Sequence, residues 1–215
     1  MVTNLRLGAA LRYANAGLPV FPCVPDGKKP LTEHGFHDAT TDAAQLTEWF
    51  ARWPTANLAI PTGAPGYDVL DVDVRGDAAG WQAYNQAREA GLADGWTHAV
   101  RTPSSGLHLY YPGSDQRSST VPTRHLDFRG VGGYVVVPPS HVRTDTYSGD
   151  YTLIARNEQA ARAVDWGAVR RLVAPVHGPV SQPSPASSSA AEASVAQWLA
   201  RWLTGQNLLA NGGVG

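Results

Sequence analysis

A mixed α/β fold (α+β, or α/β) is what this 215-residue sequence predicts, on three observations. Segments with apolar residues at helical spacing alternate with short segments whose apolar residues fall at every second position. Pro-, Gly- and Ser-rich punctuation separates them and becomes dense enough in the second half to suggest hairpins. A hydrophobic content of 43% against 16% charged residues supplies a core and excludes wholesale disorder.

The elements follow in order. Asn4 to Gly17 reads as a helix, with Leu5, Ala9, Arg12 and Ala16 at helical spacing, Asn4 as its start and Gly17 as its end. Leu18 to Pro22 reads as an extended edge segment, because proline cannot donate to a ladder. Asp26 to Thr41 is a loop. Asp42 then caps a helix to Trp53 that carries Leu46, Trp49, Phe50 and Trp53 on one stripe. Short strands are expected at Asn57–Ile60 and Tyr67–Val74, and a helix at Ala78–Ala90 ending at Gly91. Strands follow at His98–Thr102 and Leu107–Tyr111, then at His125–Arg129 and Tyr134–Pro138. A last strand is expected within Thr146–Ile154 and a helix over Glu158–Val173. Residues 175–191 hold four prolines, five serines and no Asp, Glu, Lys or Arg, the composition of a flexible linker. Residues 192–215 begin with a short amphipathic helix carrying Val195, Trp198, Leu199 and Trp202, read as the start of a C-terminal region.

Composition also excludes function classes. The single cysteine, Cys23, rules out a disulfide framework and a Cys-rich zinc module. Net charge is −1, so any nucleic-acid contact must come from a local patch and not from bulk charge. No apolar run reaches the roughly 18–20 residues that span a bilayer, and Met1-Val2-Thr3-Asn4 does not open a secretory signal. A cytoplasmic location, bacterial or host-cell, without membrane contact is the expectation.

Three strands each carry an apolar and a polar face. In Val69–Val74, Leu70, Val72 and Val74 face one way, Asp71 and Asp73 the other. In Leu107–Tyr110, His108 opposes Leu107 and Leu109; in His125–Arg129, Asp127 and Arg129 oppose Leu126 and Phe128. Were the polar faces to share one sheet, Asp71, Asp73 and Asp127 would crowd. Carboxylates about 6 Å apart at an effective dielectric near 20 repel by roughly 3 kcal/mol per pair, so such a cluster calls for protons or hard cations such as Mg²⁺ or Mn²⁺. Each signal alone also has a plainer account. An Asp-x-Asp pair can be a solvated strand face, His108 a hydrogen-bonded surface histidine, Asp127–Arg129 a surface ion pair and Lys28–Lys29 a solvated loop.

Taken in order, Leu70-Asp71-Val72-Asp73, Gly106-Leu107-His108 and Leu126-Asp127 resemble the three motifs of the archaeo-eukaryotic primase superfamily. The closest likeness is to the bifunctional primase–polymerase (prim-pol) N-terminal domain of phage, prophage and plasmid replication proteins. Gly27-Lys28-Lys29-Pro30-Leu31, the segment Asn57–Gly63, Gly132-Gly133-Tyr134 and Pro138-Pro139-Ser140 add to the resemblance, which covers roughly residues 5–173.

The resemblance implies a prim-pol catalytic domain over 1–174, with an N-terminal α/β unit packed on a C-terminal RRM-like unit and the active-site cleft between them. It implies a DNA primase/polymerase that acts on a DNA template/primer with dNTPs or NTPs, a helicase region beyond Gly215 being compatible by analogy. Asp71, Asp73 and Asp127 would be the ligands of two divalent ions, Mg²⁺ or Mn²⁺, with no zinc. His108 would donate to a triphosphate oxygen. Gly106 and Ser105 would form the close-approach loop, and Arg129, Arg101 and Lys29 would add nucleotide contacts. Ser140 and His141 are candidates for a place near the nucleotide, and Arg117 and Arg124 for a template phosphate patch. Trp81, Tyr84 and Trp96 read as packing. Ser105 stands where relatives often have a second glycine. Two other classes stay open: a non-catalytic RRM-like nucleic-acid or nucleotide-binding module, which needs no carboxylates, and a metal-dependent phosphohydrolase, which would shorten strands or release phosphate.

Overall fold

The computed structural model describes residues 4–74, 79–157 and 161–174. The linker expected at 175–191 and the helix expected after it lie outside the described residues. The first helix, α1 (Leu5–Asn15), starts where the Asn4 side chain accepts hydrogen bonds from the Arg6 and Leu7 amides. Its buried face is Ala9, Ala10 and Ala14, while Leu5 is 78% exposed. The small side chains let α1 lie close to α2 (Ala43–Arg52), which Asp42 caps and which buries Leu46 and Phe50. Between them runs β1 (Phe21–Cys23), the edge strand that the prolines suggested, and a 3₁₀ turn at Gly35–Asp38.

After α2 come β2 (Asn57–Pro61), β3 (Tyr67–Val72), α3 (Ala79–Glu89), β4 (His98–Arg101) and β5 (Leu107–Pro112). The rest comprises β6 (Ser119–Val121), β7 (Leu126–Arg129), β8 (Tyr134–Val137), β9 (His141–Arg143), β10 (Ser148–Asp150), β11 (Thr152–Arg156) and α4 (Trp166–Val173). The strands form three antiparallel sheets: β1-β2-β8, β10-β9 and the six-stranded β11-β4-β5-β3-β7-β6.

One face of the large sheet, through Val69, Val100 and Tyr110, joins the core formed by α1, α2 and the three-stranded sheet. On the other, Leu70, Leu126 and Phe128 are fully buried and helices α3 and α4 cover the sheet, with Phe128 stacked on Trp166 at 5.4 Å. Each such side chain contributes roughly 1.5–3 kcal/mol of burial. No described helix is long and apolar enough to cross a membrane.

Three expectations change. The strands β7 and β8, successive in the half where hairpins were expected, belong to different sheets. The segment Thr146–Ile154 divides between β10 and β11, because the Tyr151 amide bonds to the Ser140 carbonyl where the chain passes from one sheet to the other. The last helix begins only at Trp166, where Asp165 accepts from the Ala168 amide. Upstream of it the Arg162 amide bonds instead to the Gly95 carbonyl.

Candidate active site

The large sheet aligns the polar residues of its central strands. Asp71 on β3 stands directly opposite His108 on β5 and, on its other side, directly opposite Asp127 on β7. Residues opposite one another in antiparallel strands point to the same face, with α-carbons about 4.5–5.5 Å apart. The next row toward the core places Val69 opposite Arg129. Asp73 follows the end of β3, where its amide donates to the His125 carbonyl at 3.0 Å. Gly80 on α3 makes room for that junction, since a Cβ there would lie 2.0 Å from the Asp73 carbonyl oxygen.

These side chains line a cavity of about 420 Å³ that holds Asp71, Asp73, Asp127, His108, Arg129 and Lys28, together with Thr102, Ser104, His125 and Tyr151. A second cavity, about 270 Å³, shares Lys28, Asp71, His108, Arg129 and Tyr151 and extends to Phe36, Tyr134 and the Gly132–Gly133 backbone. The cationic side chains therefore lie where the two cavities share walls, and the three carboxylates lie in the larger one.

Charge within the site is uneven. His108 Nε2 stands 3.5 Å from Asp71 Oδ1. Burial pushes the Asp71 carboxyl up, but His108, Arg129 and Lys28 together hold it below the ordinary carboxylate range. Asp127 goes the other way. Burial raises it, Asp71 and Asp73 repel it, and the Arg129 guanidinium and His125 offset only part. Nδ1 of His108 is buried with no hydrogen-bond partner.

The donor set suits a hard divalent cation, being all carboxylate oxygen. Among the described residues no three His, Cys, Asp or Glu side chains are already gathered as one metal ligand set. Asp127 Oδ2 accepts from Arg129 Nη2 at 2.6 Å, and Asp71 faces His108.

The structure sorts the remaining residues named from sequence. Gly106 is a close-approach position, but the group approached is β3: a Cβ there would lie 2.4 Å from the Val72 carbonyl oxygen. Ser105 is exposed, with a left-handed φ of 68° in the turn between β4 and β5; Thr102 and Ser104 of the same turn reach the cavity instead. Arg101 is exposed and follows Val100, the partner of His108, so it points to the opposite sheet face. Lys29 lines neither cavity, whereas Lys28 lines both.

Ser140 is fully buried, and its hydroxyl bonds the Leu58 amide and carbonyl. His141 pairs with Asp150 and Ser148. Arg124 Nε donates to the Val173 carbonyl at the end of α4, where a cation complements the helix dipole. Arg117 joins Val131 in an isolated bridge. Trp81 and Tyr84 are packing residues, 5% and 3% exposed.

Lys28, Thr102, Ser104, Pro122, His125 and Tyr151 are the residues of the larger cavity that the strand pattern did not single out. Only Lys28 had a visible signal, in the Gly-Lys-Lys-Pro run.

No curated protein matches the chain. The family model described as bifunctional DNA primase/polymerase, N-terminal, matches residues 10–166, a span that contains every strand of the described residues and all three carboxylates. The chain belongs to this Prim-Pol family, which makes it a primase/polymerase-type nucleotidyltransferase at the level of the family.

Proposed function

We propose that residues 1–174 form a catalytic domain that joins nucleotides to a strand on a DNA template, within a replication protein of phage, prophage or plasmid type. The observation that carries this reading is the row His108–Asp71–Asp127 across three neighbouring strands, with Lys28 and Arg129 bordering the same cavity. The strand arrangement agrees with an RRM-like unit. The first strand, β3, lies between β5 and β7, with β4 outside β5, and α3, which connects β3 to β4, packs on one face.

In this reading Asp71, Asp73 and Asp127 hold Mg²⁺ or Mn²⁺, two ions in all. When bound, the cations supply Lewis acidity that offsets triphosphate charge and lowers the pKa of the primer 3′-hydroxyl. The chain's own groups do the rest. Lys28, His108 and Arg129 bind phosphate oxygens at the wall common to both cavities. Arg129 exchanges its Asp127 partner for phosphate, which frees the carboxylate for its ligand role. His108 Nε2 likewise exchanges Asp71 for a phosphate oxygen, held in place by burial of its ring against Tyr151 at 5.4 Å. The nucleoside end then lies toward Phe36 and Tyr134.

The test is extension of a labelled primer–template with each dNTP and NTP in Mg²⁺ or Mn²⁺. Lengthened primers support the proposal. Shortened strands or released phosphate without lengthening indicate a phosphohydrolase, and binding that survives Asp71→Ala and Asp73→Ala without any turnover indicates a non-catalytic module.

A further inference from the structure

The turn that carries Lys28 is fixed in a way its own packing does not require. Pro25, Asp26, Lys28 and Lys29 are all exposed, between Cys23 and Leu31, which reach the core. The turn closes on itself through the Val24 amide and the Lys29 carbonyl at 2.8 Å, with Asp26 at a φ of 57°. Three successive carbonyls are then captured from three different strands. The Arg143 amide of β9 donates to Asp26 at 2.9 Å, Asn57 Nδ2 of β2 to Gly27 at 2.8 Å, and the Tyr134 hydroxyl of β8 to Lys28 at 3.3 Å. Among the described residues, no hydrogen bond or ion pair occupies the Lys28 ammonium itself, although its side chain lines both cavities beside Asp71.

Asn57 is the one buried side chain in this set, with no exposed surface. Both its donors and its acceptor are engaged: Nδ2 also donates to the His141 carbonyl, and Oδ1 accepts from the His141 amide. A buried carboxamide bonded through both its donors and its oxygen fixes the relative position of the groups it joins. Here those groups are β2, the start of β9 and the Lys28 turn. A long, flexible lysine stem binds phosphate poorly unless its backbone origin is set beforehand.

We infer that Asn57 is a positioning residue that acts through the Gly27 carbonyl to hold the Lys28 turn at the cavity wall, where the Lys28 ammonium meets the triphosphate of the incoming nucleotide. This inference rests on the nucleotidyl-transfer reading of the site.

A double-mutant cycle tests it, using Asn57→Ala, Lys28→Ala and the double variant in the full chain. The probe is a non-hydrolysable dNTP in Mg²⁺, with calorimetry giving Kd and primer extension giving kcat and KM. The loss of one charge-assisted contact predicts that each single variant weakens Kd and raises KM about tenfold. The double variant binds no more weakly than Lys28→Ala, because Asn57 has nothing left to position. Unchanged Kd in folded Asn57→Ala overturns the inference, and so do losses that multiply in the double variant, since a general structural role acts in both backgrounds.

If Asn57→Ala does not fold by circular dichroism, Asn57→Ser, which keeps a polar group but is too short to reach the Gly27 carbonyl, replaces it in the same cycle. About a two- to threefold weakening confined to the Lys28 background then supports the inference, and its absence overturns it. A parent protein that binds the dNTP yet extends no primer defeats the polymerase reading while leaving this cycle readable. A parent that binds no dNTP overturns both.

Discussion

Arg129 lies across Asp127: the two are separated by one residue on the same face of β7, and Nη2 stands 2.6 Å from Oδ2. Asp127 is also opposite Asp71 in the ladder and lies within reach of the charge of Asp73. A carboxylate in that position is attracted by one neighbour and repelled by two. The balance leaves it above its ordinary pKa, with burial the largest cause.

From this follows an opposition between stability and activity at Asp127. Asp127→Asn removes the repulsion and keeps an acceptor for Arg129, so the melting temperature of the metal-free protein at neutral pH rises. Primer extension falls by about 100-fold or more, because a ligand worth several kcal/mol to the transition state is gone. Thermal melts and single-turnover extension on the same preparation check both halves. A variant less stable than the parent, or one that keeps its activity, contradicts the assignment.

A second carboxyl sets the pH dependence of stability. Asp68 is fully buried on β3; Oδ2 accepts from Ser114 Oγ at 2.6 Å, while Oδ1 has no partner. Burial raises its pKa, Asp115 adds repulsion, and the Ser114 hydrogen bonds offset part. The folded state therefore keeps this proton after the unfolded chain, with its pKa near about 3.9, has released it. Stability from Asp68 is fully present below that unfolded value and is lost as pH rises through the folded one, by about 1.4 kcal/mol for each unit of difference. Asp68→Asn mimics the protonated acid. Melts from acid to neutral pH are expected to show the variant gaining steadily on the parent, and parallel curves would refute the assignment.

The turn between β4 and β5 separates two glycine requirements. Ser105 adopts φ 68°, a region costly for a residue with a Cβ, so Ser105→Gly stabilises the fold by roughly 0.5–1 kcal/mol. Gly106→Ala does the reverse. Its Cβ meets the Val72 carbonyl at 2.4 Å and pushes β5 from β3, costing roughly 1–3 kcal/mol. Because His108 is two residues further along β5, extension falls with stability in the second variant. Urea titration of both proteins measures the difference, and equal effects would count against the strand contact.

Much of the site was readable from alternation. Leu70, Val72, Leu126 and Phe128 announce a buried face, and Asp71, Asp127 and Arg129 fall on the other because side chains alternate strictly along a strand. Which strands become neighbours was not readable, since pairing of β3 with both β5 and β7 is a long-range choice that no local pattern encodes. The same limit hid the transfer of β8 to the other sheet and the short strands β6 and β9. Lys28 and Lys29 are alike as sequence. Only the turn, pinned through Gly27 by Asn57, decides which of them reaches the cavity. The bond from Arg124 to the end of α4 was hidden for the same reason, since that helix cannot be placed beside it from sequence.

The central claim is that Asp71, Asp73 and Asp127 together hold the cations of a nucleotidyl-transfer site. Electron paramagnetic resonance of a Mn²⁺ titration, with a non-hydrolysable dNTP present, measures this without relying on turnover. The parent is expected to take up two Mn²⁺ per chain. Asp71→Asn, Asp73→Asn and Asp127→Asn, each shown to be folded, are expected to lose at least one, with affinity for the remainder weakened about 10-fold or more. Equal Mn²⁺ uptake by the parent and the three variants would contradict it.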